Sequence, residues 1–201
     1  MAEACKGGYL RARLVRGIKV VYWEREGREN TEKTVDLALK RAFELGIEHV
    51  VVASNTGATA KLLMGKGVKV VCVTHQVGFR APGGDEMPPE VRRSLQESGV
   101  KIFTGTHLMR GIERAVTNKS GGLYPGGIVA ETLRMLGEGT KVCVEISVMA
   151  LDAGLIPYGK DVVAIAGTNG GADTALVIRP AHSYQFFDTK VREIICKPRE
   201  F

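Results

Sequence analysis

A short polar loop separates a predicted strand at 50–53 from a predicted helix at 59–64. Its residues are Ser54, Asn55, Thr56, Gly57, Ala58 and Thr59. The β-branched residues before the loop are typical of a strand buried on both faces. The glycine lacks a Cβ, and the first amides of a helix lack partners within it, so an anion could approach the backbone closely and accept several hydrogen bonds. The loop therefore predicts a phosphate site, although a well-capped turn without a ligand could have the same sequence.

A second loop of similar chemistry follows the apolar strand predicted at 161–166. It contains Gly167, Thr168, Asn169, Gly170 and Gly171. Small and short polar residues leave amides and hydroxyls free to surround a polar ligand. No helix separates this strand from the next one, at 174–179, so the two strands should be antiparallel. A glycine-rich hairpin turn is the alternative interpretation.

Strand-like and helix-like segments alternate along the chain. Strands are expected at 18–23, 50–53, 68–74 and 101–104, besides the two named above. Helices are expected from the cap Asn30 to Gly46, and at 59–64, 88–99, 108–116, 128–136 and 141–152. The last helix is ambiguous, because its apolar residues also alternate as they would in a strand. The pattern predicts the α/β class: one domain, 1–201, folded as a three-layer α/β/α sandwich with a mostly parallel sheet and an antiparallel edge strand.

Ligands of open α/β sheets lie beyond the carboxyl ends of the strands, where the strand order reverses. If the strand that starts at Ile18 is central, the two polar loops flank it. Trp23 and Glu24 would then end that strand between the loops, with the Trp23 ring either under the ligand or in the core. His75 and Gln76 follow the third strand at the same edge and could face the site, although His75 could equally be a surface or capping histidine.

Composition excludes several other classes. The net charge is +6, but basic residues are scattered among acidic ones, so no nucleic-acid partner is expected. No segment approaches the roughly 20 apolar residues of a membrane span, and the four separated cysteines suit free thiols, so a cytoplasmic protein is expected. Neither a metal-ligand spacing nor a nucleotide-binding glycine fingerprint is present.

The segment from Asn30 to His75, with its VVVASNTGATAKLL strand, loop and helix, resembles the C-terminal α/β domain of pyruvate kinase. The whole chain, with its GTNGGADTALV segment, resembles the free-standing proteins called pyruvate kinase α/β domain-containing proteins. The corresponding loop of the kinase holds a phosphate of a sugar bisphosphate effector. The resemblance maps that loop onto Ser54, Asn55, Thr56, Gly57 and Thr59 of this sequence. In the free-standing family it implies flavin mononucleotide (FMN), with its phosphate on the same loop.

Residues 80–155 have no counterpart that we recognise in the kinase domain, and no barrel domain is present, so pyruvate kinase activity is not expected. Two hypotheses remain. The first is an FMN-binding protein, whose enzymatic form would be a flavin-dependent oxidoreductase of unknown substrate. The second is a non-catalytic sensor or binding module for a phosphorylated metabolite. The glycine-containing segment 79–87 is expected to be a loop, either an ordinary surface loop or one that could cover the site.

Overall fold

The computed structural model describes residues 19–168 and 170–201, and these residues form one seven-stranded sheet with helices on both faces. The strands are β1 (Val21–Arg25), β2 (His49–Ala53), β3 (Lys69–Thr74), β4 (Lys101–Thr104), β5 (Val162–Ala166), β6 (Thr174–Arg179) and β7 (Lys190–Glu200). The α-helices are α1 (Thr31–Leu45), α2 (Ala58–Lys61), α3 (Pro89–Glu97), α4 (Gly111–Ser120), α5 (Pro125–Arg134) and α6 (Glu138–Asp152). Short 3₁₀ turns occupy Arg28–Asn30 and Ser183–Asp188.

The strand order is β1-β7-β6-β5-β2-β3-β4. All neighbouring pairs are parallel except those that β6 makes with β5 and β7. The predicted α/β class and mostly parallel sheet are therefore confirmed, as is the antiparallel pairing of β5 with β6. The antiparallel strand is not at the edge, however, because β7, which the sequence analysis did not predict, and β1 extend the sheet beyond it.

The expected position of the first strand is wrong. Ile18 lies outside the described residues, and β1 is an edge strand separated from β2 by three others. Burial explains this position: β1 has no fully buried residue, whereas every residue of β5 is buried. A strand with exposed residues such as Tyr22 and Glu24 suits the edge of a sheet better than its centre.

Successive strand residues point to opposite faces of the sheet, which creates two cores. On one face, Val50 and Val52 pack with residues of α1, α2 and α3. On the other, Val51 and Ala164 pack with residues of α5 and α6. Three layers result, as predicted, and the ambiguous segment at 141–152 is helical because it is buried along almost its whole length.

Some local expectations need correction. α1 ends at Gly46 in the left-handed conformation (φ 66°), as predicted. Asn30 does not cap that helix, because its side-chain amide donates to the carbonyl oxygens of Arg25 and Gly27 instead. α4 begins and ends later than expected, and α5 begins earlier, at Pro125, a residue suited to the first turn of a helix. No helix among the described residues is both long and apolar enough to cross a membrane.

Candidate functional site

A cleft of about 700 Å³ lies at the carboxyl edge of the sheet, and both polar loops line it. The loops meet because β2 and β5 are hydrogen-bonded neighbours that run parallel, so their carboxyl ends lie side by side. This explanation replaces the expected one, in which the loops flanked a central first strand. The cleft is bounded further by residues that follow β3 and β4 and by one face of α6.

Ser54, Asn55, Thr56, Ala58 and Thr59 all line the cleft. The Ser54 hydroxyl is buried and accepts hydrogen bonds from the backbone amides of Thr59 (3.2 Å) and Ala60 (3.4 Å). Among the described residues, the backbone amides of residues 55–58 have no acceptor. This part of the loop therefore keeps several donors available for an anion, while Ser54 holds its shape.

Gly57 has a different role from the one expected. It is buried and does not line the cleft. Its φ of +83° favours glycine, and a Cβ there would lie 2.6 Å from Val91 Cγ1 and 3.1 Å from Leu95 Cδ1. The absence of a side chain at this position is therefore required for packing against α3.

In the second loop, Gly167, Thr168, Gly170 and Gly171 line the cleft, and Asn169 lies outside the described residues. The glycines permit close backbone packing: a Cβ on Gly167 would lie 2.6 Å from the Gly171 oxygen. The loop is tied to the start of α1, because the Ala172 amide donates to Thr31 Oγ1 (3.0 Å).

The buried carboxyl group of Asp173, which was not predicted as a site residue, organises this loop. It accepts hydrogen bonds from the backbone amides of Gly27 (3.2 Å) and Thr168 (3.1 Å) and from the Thr174 hydroxyl (2.7 Å). Burial raises the pKa of Asp173 above its ordinary value, against these hydrogen bonds.

Besides Gly57, three predicted site residues lie outside the cleft. Trp23 is on the edge strand, where its indole N–H donates to the Asp173 carbonyl oxygen (2.7 Å) and so supports the second loop from behind. Glu24, on the same strand, is exposed. Gln76 lines a separate, smaller depression of about 330 Å³ beside Phe79 and Arg110. Trp23 and Glu24 do not line the cleft, although Arg28, three residues after β1, does.

His75 does line the cleft, and both of its ring nitrogens have partners. Its backbone amide donates to Asn55 Oδ1 (3.0 Å), which fixes the Asn55 amide with its NH₂ group 3.2 Å from His75 Nε2. Nε2 must then accept, and Nδ1 carries the proton and donates to Glu86 (2.9 Å). Burial lowers the pKa of His75, against the effect of Glu86, so this neutral tautomer is favoured.

The ring of His75 belongs to an aromatic group that covers part of the cleft. Phe79 stacks on it with ring centroids 3.7 Å apart, and the Arg110 guanidinium lies 4.5 Å from the Phe79 centroid. Phe79, Arg80 and Glu86 belong to the loop predicted at 79–87, and all three line the cleft.

A buried ionic cluster forms another wall. Glu145, on α6, is fully buried and accepts hydrogen bonds from the Met109 amide (2.8 Å), from Lys141 Nζ and from His107 Nδ1 (3.3 Å). Burial opposes ionisation of Glu145, but hydrogen bonds from His107 and Lys141 and the charge of Lys141 lower its pKa to about 2. His107 Nε2 is buried and has no hydrogen-bond partner among the described residues.

The cleft also contains cationic groups that suit a phosphate. Arg134 is paired with Glu138 and Glu131. Within the described part of the chain, Arg28 and Arg110 have no carboxylate partner although both line the cleft. Burial lowers the pKa of Arg110, so an anion bound beside it would offset the cost of its burial.

Most of the charged and aromatic residues that line the cleft were not predicted as site residues from the sequence. The residues not predicted are Arg28, Phe79, Arg80, Glu86, His107, Arg110, Arg134, Glu138, Lys141 and Glu145. A usable signal existed for α6, where Glu138, Lys141 and Glu145 follow a three- and four-residue spacing in an otherwise apolar helix. That spacing places charges on one face of a helix that is buried on its others. Among the described residues, no group of three His, Cys, Asp or Glu side chains could hold a metal ion.

A family model supports this architecture. The family described as pyruvate kinase, alpha/beta domain, matches residues 32–178, a range that includes both loops. Similar solved structures include a pyruvate kinase from Cryptosporidium parvum, 17% identical with a TM-score of 0.40, covering 74% of this chain and 22% of that chain. Another is Cryptosporidium parvum pyruvate kinase in complex with ADP, 18% identical with a TM-score of 0.37, covering 73% and 22%. The chain thus spans about a fifth of the length of these kinases.

Proposed function

The chain belongs to the pyruvate kinase alpha/beta domain family, and on that premise we propose that its cleft binds FMN, with the flavin phosphate at residues 54–59. The flavin ring would extend toward residues 167–171. The observation that carries the proposal is that both loops, about 110 residues apart in the chain, line one cleft.

The residues present fit a phosphate. The backbone amides of residues 55–58 have no acceptor among the described residues, and the Arg110 and Arg28 guanidinium groups have no carboxylate partner there. Charge-assisted hydrogen bonds of this kind are among the strong ones that proteins make to phosphate. The volume of about 700 Å³ lies within the range of small-molecule sites, roughly 300–1,000 Å³.

When bound, FMN supplies redox chemistry, and this chain's residues would bind and orient it. Thr168 and the exposed backbone of Gly170 and Gly171 lie where they could contact the ring edge. The oxidoreductase form of the proposal further requires that an electron donor reduce the bound flavin.

A second candidate is a sensor or binding module for another phosphorylated metabolite. The character of the cleft favours it, because buried charged groups such as Glu145 and Lys141 form one wall. The Phe79 ring is stacked on His75 and does not present both of its faces to a ligand. A polar sugar phosphate would suit such walls at least as well as a flavin ring.

Titration of the purified protein with FMN, followed by quenching of flavin fluorescence, tests the proposal. Arg110→Met removes an unpaired charge and should weaken binding about ten-fold, the size of one charge-assisted hydrogen bond. The matched control is Arg179→Met, because Arg179 ends β6 at the opposite edge of the sheet and is paired there with Asp161. The control should bind FMN as the parent does.

Equal FMN affinity for the parent and Arg110→Met would contradict the proposal that the flavin phosphate binds in this cleft. Stabilisation against heat by a hexose bisphosphate but not by FMN would instead support the second candidate.

A further inference from the structure

His107 has a ring nitrogen that finds no partner in the described part of the chain. The residue follows β4, lines the cleft and is only 7% exposed. Nε2 is buried and makes no hydrogen bond to the described residues. Because buried polar atoms in native proteins almost always have a partner, this nitrogen points to a group that arrives with the ligand.

The other contacts of His107 determine which kind of group that is. The Glu145 carboxylate is ionised and can only accept, so His107 Nδ1 must carry a proton and donate to it. Lys141 already balances the charge of Glu145. A second proton on the imidazole would add an uncompensated cation to a buried cluster, so the ring is neutral and Nε2 presents a lone pair.

Neighbouring side chains do not supply the missing donor. The ring centroid of His75 is 5.4 Å away, but its Nδ1 proton is directed at Glu86 and its Nε2 accepts from Asn55. The ring of Phe79, 6.0 Å away, has no polar hydrogen.

We propose that His107 Nε2 accepts a hydrogen bond from an O–H or N–H group of the phosphorylated ligand bound in the cleft. This inference rests on the proposed function and narrows it to ligands that combine an anionic phosphate with a hydrogen-bond donor elsewhere in the molecule. The ribityl hydroxyls and the ring imide of FMN are such donors, and so are the hydroxyls of a sugar phosphate.

Access to Nε2 requires movement, since the nitrogen is covered in the structure. The Phe79 ring is the neighbour best placed to move, because it makes no hydrogen bonds. Its loop, 79–87, contains Gly83 and follows Gly78, and both glycines are in the left-handed conformation. Ligand binding should therefore separate Phe79 from His75.

The protonation of His107 can be measured without any ligand. Long-range proton–nitrogen NMR correlation on the histidine-labelled protein at pH 7 should show His107 with Nδ1 protonated and Nε2 unprotonated. On addition of saturating FMN, the Nε2 resonance should shift in the direction of a hydrogen-bonded acceptor. A free protein with Nε2 protonated would overturn the inference and leave the proposed function standing.

Two variants test the contact itself. His107→Leu removes the acceptor and should weaken FMN binding about ten-fold, whereas His107→Gln, whose terminal oxygen can occupy the place of Nε2, should recover part of the loss. His182→Leu is the control, since His182 is paired with Asp152 outside the cleft and should leave the affinity unchanged.

The outcomes separate the two claims. FMN binding by the parent with equal affinity for His107→Leu, or a saturated parent whose His107 resonances do not move, would overturn the inference alone. If the parent binds a hexose bisphosphate and not FMN, the FMN proposal fails, and the same measurements with the bisphosphate decide the inference. A parent that binds neither probe overturns both.

Discussion

Two histidines at the same edge of the sheet differ in how completely the fold satisfies them. His75 directly follows β3, and its two ring nitrogens pair with Asn55 and Glu86. His107 follows β4, 5.4 Å away between ring centroids, and only one of its nitrogens is paired within the described residues. The protein pairs both ring nitrogens of His75, whereas in His107 it pairs Nδ1 with Glu145 and leaves Nε2 as the proposed acceptor for a ligand.

The carboxylates behind the two rings differ in the same sense. Glu86 is partly exposed and shares its contacts between His75 and the exposed Arg80. Glu145 is fully buried and depends on Lys141 for charge balance. Interactions around His107 should therefore have larger effects on stability than those around His75, because solvent screens the charges near His75 and Glu86 more effectively.

The largest expected effect is that of Lys141→Met. It leaves the Glu145 carboxylate buried without its main counter-charge, and the free energy of unfolding should fall by about 3–5 kcal/mol. Urea denaturation of the variant measures this loss. The matched control is Lys69→Met, which breaks the exposed ion pair with Glu48 and should leave the denaturation midpoint unchanged.

Adding Glu145→Met to Lys141→Met should restore much of the lost stability, because an apolar pair has no charge to compensate. If Lys141→Met alone were as stable as Lys69→Met, the contrast between the two carboxylates would be wrong.

A smaller effect is expected for Asn55→Ala, which removes the partners of the His75 amide and of His75 Nε2. The free energy of unfolding should fall by about 1–2 kcal/mol, since these groups are only partly buried and water can replace some contacts. Asn118→Ala, at an exposed position on α4, serves as the control in the same urea experiment. If Asn55→Ala lost as much free energy of unfolding as Lys141→Met, the contacts of His75 would matter to stability as much as those of the buried Glu145 carboxylate.

The smallest expected effect is the contribution of His75 to the pH dependence of stability. Burial lowers the pKa of His75 below its ordinary value of 6.5, so the unfolded chain takes up this proton first on acidification. The stability contribution of neutral His75 is complete above pH 6.5 and is lost as the pH falls below that value. Glu145, with a pKa of about 2 against an ordinary 4.5, acts in a separate window, where stability is lost as the pH falls below about 4.5.

Melting temperatures of the parent and His75→Gln between pH 7 and pH 3 would resolve the two windows. The variant should lose the part of the upper pH dependence that His75 contributes and keep the lower one; His49, whose pKa burial also lowers, should retain its own contribution near pH 6.5. An unchanged upper window would assign it to a different titrating group.

Much of the local structure followed from sequence alone. The strands around Val51 and Ala164 and the left-handed end of α1 at Gly46 were predicted, because apolar periodicity and glycine conformation act over a few residues. The family match over residues 32–178 confirms the resemblance to the pyruvate kinase domain, and so the fold class. The cleft lining by both polar loops also agrees with the sequence analysis, although the expected strand order was wrong.

The sequence by itself determined most of the segments that form strands and helices, although not β7, and that two polar loops follow buried strands. Only the tertiary structure decided that β5 lies beside β2, that β1 and Trp23 are at the edge, and that Gly57 packs against α3. It also brought His107 to the Glu145 carboxylate across 38 residues of chain. Strand order and buried charge pairing depend on contacts between distant segments, and those contacts leave little trace in the local pattern of residues.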